Sequence, residues 1–485
     1  MRSDPWQNPY LTGDYAPVRR EIGVERLAQV KGESLCGLNG TYVRNGPNPR
    51  YPGAPKTHHW FDGDGMLHAA RFSPDGAVTY RNGYIQTDDF RAEQSAERAL
   101  WGGLLASRLG YPEDRYKDTA NTDVIAHRGR LWTMHYMCGK PVAVDPMTLE
   151  TLGAERLVPD QPDLGRPLRI SAHCKVDPAT GELVFFDYAA RKPYMTYGSI
   201  DAEGGLQWWH PVELPGPRLP HDMALTRRFA VLMDLPVVHA PQAEELGRWM
   251  VDYRRAQPAR FGLAPRTPEA GPVRWFEASP CYIYHSVNAW ESDDGRRVTL
   301  IAYKSNDPIG RPRAEDGSPL QAAAMANLRL AATLHEWVFD LETGRTRERP
   351  LSDLNAEFPI MDARRIGQPN RHLFAMTIPK QAQTLRFDGL VTHDLETGRQ
   401  NTYRCPPHRY LSEVAFAPRP GGTEDNDGWL VTFAAGGDAP SELQVFSASD
   451  ISLGPVASWH VPQRIPLGFH ATWSPGGPRQ ESRCP

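Results

Sequence analysis

The chain is poor in cysteine and has no C-x-x-C pair. Its six cysteines (Cys36, Cys138, Cys174, Cys281, Cys405 and Cys484) are scattered over 485 residues. That excludes a zinc-ribbon pattern and a disulfide framework, and implies reduced, mostly buried thiols. Long apolar runs are also missing, since none approaches the ~18 to 20 residues of a transmembrane helix. The opening "MRSDPWQNPYLTGDYAP" carries acids and prolines where a signal peptide needs an apolar segment, so a cytoplasmic protein is expected. Nor is there a block of one charge sign: 54 basic and 58 acidic residues leave a net charge of −4. No nucleic-acid surface is implied.

Helical periodicity is scarce too. It is confined chiefly to "AERALWGGLLASRL" (96 to 109) and "QAEELGRWMVDYRRAQ" (242 to 257). What is abundant is turn chemistry, with 42 glycines and 45 prolines. An apolar run followed by a D-x-x-T-G-type turn recurs at Asp145, Asp177, Asp340 and Asp394, and related Asp-Gly turns stand at Asp75 and Asp294. Asp and Gly tolerate the left-handed backbone of tight hairpins. Repeated hairpins without a dividing linker predict radial repetition, a β-propeller, although its Trp-Asp signature is absent. The expected organisation is one domain over 1–485, with insertions at about 88–120 and 236–275 capping the propeller.

Sixteen histidines are the chemical feature. The most conspicuous group, "HHWFDGDGMLH" at 58 to 68, imitates the start of a calcium loop at Asp62, Asp64 and Gly65. Calcium fails there: the fifth position is Met66 and the twelfth is Ser73, where oxygen ligands and a bidentate Glu are needed. A metal site on a propeller axis would draw its ligands from different blades. Seven blades in a chain of this length give on the order of 60 to 70 residues each. His173, His221, His285 and His470 fit that ruler, with gaps of 48, 64 and 185 residues. With so many histidines, spacing by itself does not single out this set.

The segments around them do more. "NPYLTGDYAPV", "LNGTYVRNGPNP", "HHWFDGDGMLHA", "ANTDVIAHRGRLW", "SAHCKVDPATGE", "HDMALTRRFAVLMDLP", "AEFPIMDARRIG", "APRPGGTEDNDGWLVTF" and "PLGFHATW" follow one another in the order found in the carotenoid cleavage oxygenases. The chain resembles that family over nearly its whole length. The resemblance implies a seven-bladed β-propeller capped by helices and loops, with one ferrous iron on the axis held by His173, His221, His285 and His470. Glutamates that orient these ligands carry over to Glu357 and Glu413. Near the third such position this chain has Tyr136. One imidazole would then rely on water, a backbone carbonyl or the Tyr136 hydroxyl. Thr122 matches a residue that shields the open coordination site. His58, His59 and His68 then mark the fold and do not hold the metal.

The implied activity is oxidative cleavage of a C=C bond of a carotenoid or apocarotenoid by iron(II) and O2, giving two carbonyl products. The substrate would be lipophilic, with weak contact to membranes by way of "LWGGLLASRLGY" (100 to 111). Cleavage of stilbenoids or phenylpropenes is the alternative within the family, and isomerisation without oxygen is a third. A propeller scaffold without chemistry is the reading outside it. The stilbenoid-cleaving branch binds a phenol through a Tyr and a Lys, whose places here fall near Leu104 and His135. Cys174 is expected to alternate away from His173 along a strand and to pack. His335 and His372 are expected at structural or surface positions.

Overall fold

The structure is a computed structural model describing residues 7–32, 35, 37–110, 115–154, 168–267, 271–309 and 329–477. Cys36 and Cys484 lie outside the described residues.

Seven antiparallel sheets follow one another along the chain, each a run of adjacent hairpins. Six of them have at one edge Ala471–Pro475, Asp123–His127, Lys175–Val176, Ala224–Leu225, Tyr282–Glu291 and Ala356–Ile360. In the seventh, Ala415–Pro418 pairs with Gly428–Ala435. These strands meet across sheet boundaries. Ala471–Pro475 touches Asp123–His127 and Ala415–Pro418, and Tyr282–Glu291 touches Ala224–Leu225 and Ala356–Ile360. They are therefore the inner strands of blades arranged about one axis. The chain is a seven-bladed β-propeller.

Closure uses both ends of the chain. Ala471–Pro475 pairs with Gly40–Pro47, and Gln29–Lys31 pairs with Ala457–His460. The outer hairpins turn where the Asp-Gly pattern predicts. Asp340 Oδ1 accepts from the backbone N–H groups of Glu342 and Thr343 at 3.0 and 2.8 Å, and Asp394 does the same for Glu396 and Thr397. Such side-chain-to-backbone bonds replace the ladder bonds a turn gives up. Between blades, the apolar faces interlock. Phe261, for instance, packs against Trp337 at 5.4 Å and Phe339 at 5.3 Å.

The insertions are less helical than their periodicity predicts. Helix α1 spans Asp88–Ala96, capped by the Thr87 hydroxyl, and Glu97 ends it with a left-handed backbone. Residues 97–110 are turns and coil: Gly103 sits at φ +85°, and Leu104 N–H is taken by Asp62 Oδ1 at 2.8 Å. A side chain at Gly103 would collide with the Asp62 carboxylate, so the position needs glycine. The second segment forms only one helical turn, α2 (Ala243–Leu246), stopped by Gly247 at φ +61°. Val251–Tyr253 then pairs with Val237–His239 as a two-stranded ribbon. This insertion is also shorter than 236–275, because Ala259–Pro265 and Arg274–Ala278 are strands of a blade. No helix among the described residues is long and apolar enough to cross a membrane.

The "HHWFDGDGMLH" segment is structural. Trp60–Asp62 is a 3-10 turn in which His59 Nδ1 accepts from Phe61 N–H and Asp62 accepts from His59 N–H. Trp60 stacks on Tyr10 at 5.3 Å, and His68 bonds Tyr80 at 2.8 Å. His335 and His372 stand beside Glu348 and Asp425, on the third and second strands of their blades.

Candidate metal centre

Four imidazoles from four blades converge at the axis. Five of their ring pairs lie between 4.6 and 5.1 Å apart, linking His173, His221, His285 and His470. Possible ligand atoms of His173, His221 and His285 lie within 4.8 Å of one another. His470 joins them at 4.6 Å from the His173 ring and 4.7 Å from the His285 ring.

Local backbone irregularity aims these side chains. His285 lies in Tyr282–Glu291 where the register slips between Ile283 and Ser286, and such a bulge re-aims a side chain. His173 stands just before Lys175–Val176 with φ +68°, a conformation a non-glycine residue holds only when its surroundings fix it. They do: Asp123 Oδ2 accepts from His173 N–H at 2.9 Å. His173 is thus outside the strand on which simple alternation was expected. Cys174 nevertheless points into the core, with Sγ 3.5 Å from Met134 Sδ. His221 and His470 sit in the approach to Ala224–Leu225 and Ala471–Pro475.

Carboxylates surround the rings. Glu357 Oε2 lies 2.5 Å from His285 Nδ1, and Glu413 Oε1 lies 3.2 Å from His470 Nδ1 while Glu413 Oε2 accepts from Ala471 N–H. Two more acids were not singled out from the sequence. Asp123 holds the His173 backbone, and Asp222 holds Ser286 N–H and hydroxyl at 2.7 Å each and pairs with Lys175 at 2.7 Å. Their signal was position, each following directly on a singled-out residue in "NTD" and "HD". Thr122 is buried within the same framework, its hydroxyl accepting from Tyr136 N–H at 3.0 Å and its carbonyl from His470 N–H at 3.4 Å.

Tyr136 departs from one alternative left by the sequence. Its ring lies against the His221 ring at 4.5 Å, but its hydroxyl does not serve as the partner of that imidazole. His221 Nδ1 is buried and no described group bonds it.

The electrostatics favour a cation. Burial, reinforced by mutual repulsion, holds His173, His221 and His285 well below the ordinary imidazole range, so they are neutral donors. Burial opposes charge on His470 also, yet Glu413 raises it. Burial pushes Glu357 up to about 8 and raises Glu413, a cost that a dipositive ion would offset. His173 Nε2 and His285 Nε2 are buried without a protein partner, which costs about 1–3 kcal/mol per group unless something coordinates them. Imidazole nitrogens in this state suit a first-row divalent metal, and the arrangement fits a metal site.

An apolar cavity has His221 on its wall, together with Phe61, Tyr136, Trp249, Tyr284 and Ile309. Phe61 also borders a second, more polar cavity. Leu104 and His135 meet there, with His58, Asp62 and Lys117. Trp249 arrives from the second insertion, its backbone N–H donating to Leu104 O at 2.9 Å.

The family model for retinal pigment epithelial membrane protein matches residues 15–475. The chain belongs to the carotenoid cleavage oxygenase family. This member is 32% identical to carotenoid 9,10(9',10')-cleavage dioxygenase 1 of Phaseolus vulgaris, over 95% of this chain and 88% of that one. Among solved structures, the Pseudomonas brassicacearum lignostilbene dioxygenase superposes with a TM-score of 0.84 at 28% identity, covering 98% and 100% of the two chains. A variant of the Synechocystis apocarotenoid oxygenase gives 0.82 at 25% identity, covering 96% and 98%. The oxygenase therefore shares both its fold and its extent with proteins named as dioxygenases and oxygenases.

Proposed function

We propose that this oxygenase is an iron(II)-dependent dioxygenase that cleaves one C=C bond of a carotenoid or apocarotenoid with O2, giving two carbonyl products. The observation that carries the reading is the convergence of four imidazoles, one of which, His221, also lines an apolar cavity. His173, His221, His285 and His470 would hold the metal. Iron(II) bound there supplies the activation of dioxygen. The chain's own part is to select and orient one double bond. Phe61, Trp249 and Tyr284 offer aromatic walls to a polyene and keep water from the reacting carbons. The reaction needs no general acid or base, and Glu357 and Glu413 act only through the imidazoles they orient. The direct test is incubation with carotenoids, apocarotenoids and stilbenoids under ¹⁸O2, with products read by mass. Two carbonyl fragments, both labelled, are expected. A rearranged product of unchanged mass would exclude cleavage and support isomerisation.

The acids beside the imidazoles are expected to matter unequally. Glu357→Gln or Glu413→Gln should weaken iron retention or activity by about 10 to 100-fold, the usual cost of altering such partners. Tyr136→Phe should cost less, because the Tyr136 ring, and not its hydroxyl, meets His221. Metal content after dialysis ranks the three variants. A larger loss for Tyr136→Phe than for Glu357→Gln would reverse the ordering.

A water-insoluble substrate has to leave a bilayer. Leu109 and Leu246 are 52% and 42% exposed, and Arg108 N–H bonds Gly247 O at 2.6 Å, so the two leucines flank one junction of the insertions. Weak, reversible membrane contact through this junction is proposed. Flotation with liposomes should carry part of the protein upward, and Leu109→Ser with Leu246→Ser should abolish that. No co-migration of the unaltered protein would leave the leucines as packing for the insertions.

A second reading, cleavage of stilbenoids, is favoured by the polar cavity. His58 Nε2 and His135 Nε2 are buried there without a hydrogen-bond partner, and either could meet a phenolic oxygen.

A further inference from the structure

The four imidazoles are not held alike. His285 is fixed by Glu357 at 2.5 Å and His470 by Glu413 at 3.2 Å, while Asp123 approaches His173 Nδ1 at 3.8 Å and accepts from its backbone N–H at 2.9 Å. His221 has no such anchor, for its Nδ1 is buried without a described partner. Contact with two tyrosine rings replaces it: Tyr136 lies 4.5 Å away at 38°, and Tyr284 lies 5.2 Å away at 72°. Ring contacts position an imidazole but accept no proton from it. A ligand whose distal N–H lacks an acceptor is a poorer donor and pays for that burial for as long as it coordinates through the other nitrogen. Of the four imidazoles, His221 alone lines the apolar cavity, the space into which its ring would turn on leaving the axis.

We infer that His221 is the yielding ligand of the centre, made so by Tyr136, and that a bound divalent ion leaves by releasing His221 first. This rests on the reading of the four histidines as a metal centre. In consequence the centre exchanges its metal more readily than one in which every imidazole has a carboxylate partner. The side chain at 136 already touches the His221 ring, so a carboxylate introduced there has an N–H to accept.

Cobalt(II) is a convenient probe because its visible absorption follows coordination number. The full-length protein, loaded with cobalt, is challenged with excess chelator, and metal loss is followed by absorbance. Tyr136→Glu is expected to slow the loss by about 10 to 100-fold, and Tyr136→Phe to leave it within about twofold, as the missing element is an acceptor. Independently, His221→Ala should still take up one cobalt per chain in a spectrum shifted from that of the unaltered protein, whereas His285→Ala should take up none. A Tyr136→Glu protein with unchanged melting temperature that loses cobalt as fast as the original would overturn the proposal. So would loss of cobalt binding by His221→Ala as complete as that by His285→Ala, and this comparison decides the matter if Tyr136→Glu does not fold. Failure of the unaltered protein to bind cobalt at all would overturn the metal centre itself, and this inference with it.

Discussion

His285→Ala should lose metal and activity together. The side chain is buried, its Nε2 has no protein partner, and its Nδ1 is engaged by Glu357. Truncation removes a donor that nothing nearby can replace, and it strands Glu357, which burial already pushes up to about 8, without its imidazole. Three remaining imidazoles would face one another around an incomplete site. The unaltered protein should carry about one iron per chain without haem absorption, and a strong chelator should abolish turnover. Elemental analysis of the two proteins beside their activities reads the result. An alanine variant that kept both iron and full activity would mean that His285 is not a ligand. The fold should survive the change, because the bulge that aims His285 is held by the Ser286 N–H and hydroxyl, both donating to the Asp222 carboxylate.

The blades were legible because their determinants are local. An Asp that caps its own turn and a glycine beyond it need no distant partner, so Asp340 and Asp394 announce hairpins wherever they occur. The helices expected at 96–109 and 242–257 were misread for the converse reason. Their apolar periodicity is real, but Leu104 is pinned by Asp62 and Val251–Tyr253 is recruited by Val237–His239, and both partners are set by tertiary contact. Spacing brought His173, His221, His285 and His470 into consideration, and only the surrounding segments distinguished them from the other histidines. Asp123 and Asp222 escaped notice because their work is done on the backbones of His173 and Ser286 in other blades. No pattern along one strand reveals a partner 50 or more residues away.

The substrate class sets the largest difference in rate between two compounds. An apocarotenal is expected to be cleaved with a kcat/KM at least about tenfold above that of resveratrol. A site built to pair a hydroxyl can favour the hydroxylated compound by about 10⁴ to 10⁵, whereas an apolar pocket cannot. In the stilbenoid-cleaving branch that pairing comes from a Tyr and a Lys. Here Leu104 offers no hydrogen bond from its side chain, and its backbone N–H is already given to Asp62. His135, 4.0 Å from Asp118, is a weaker and neutral candidate, since burial lowers its basicity. The cavity next to His221 is walled by Phe61, Trp249, Tyr284 and Ile309, surfaces suited to a polyene along much of its length. A side-by-side assay of the two compounds, scoring aldehyde products by mass, makes the comparison. His135→Phe should leave the apocarotenal rate within about threefold, because a polyene that ignores the polar cavity forgoes no hydrogen bond there. Faster cleavage of resveratrol, with that advantage lost in His135→Phe, would instead make the polar cavity a phenol site and move the enzyme to the stilbenoid-cleaving branch.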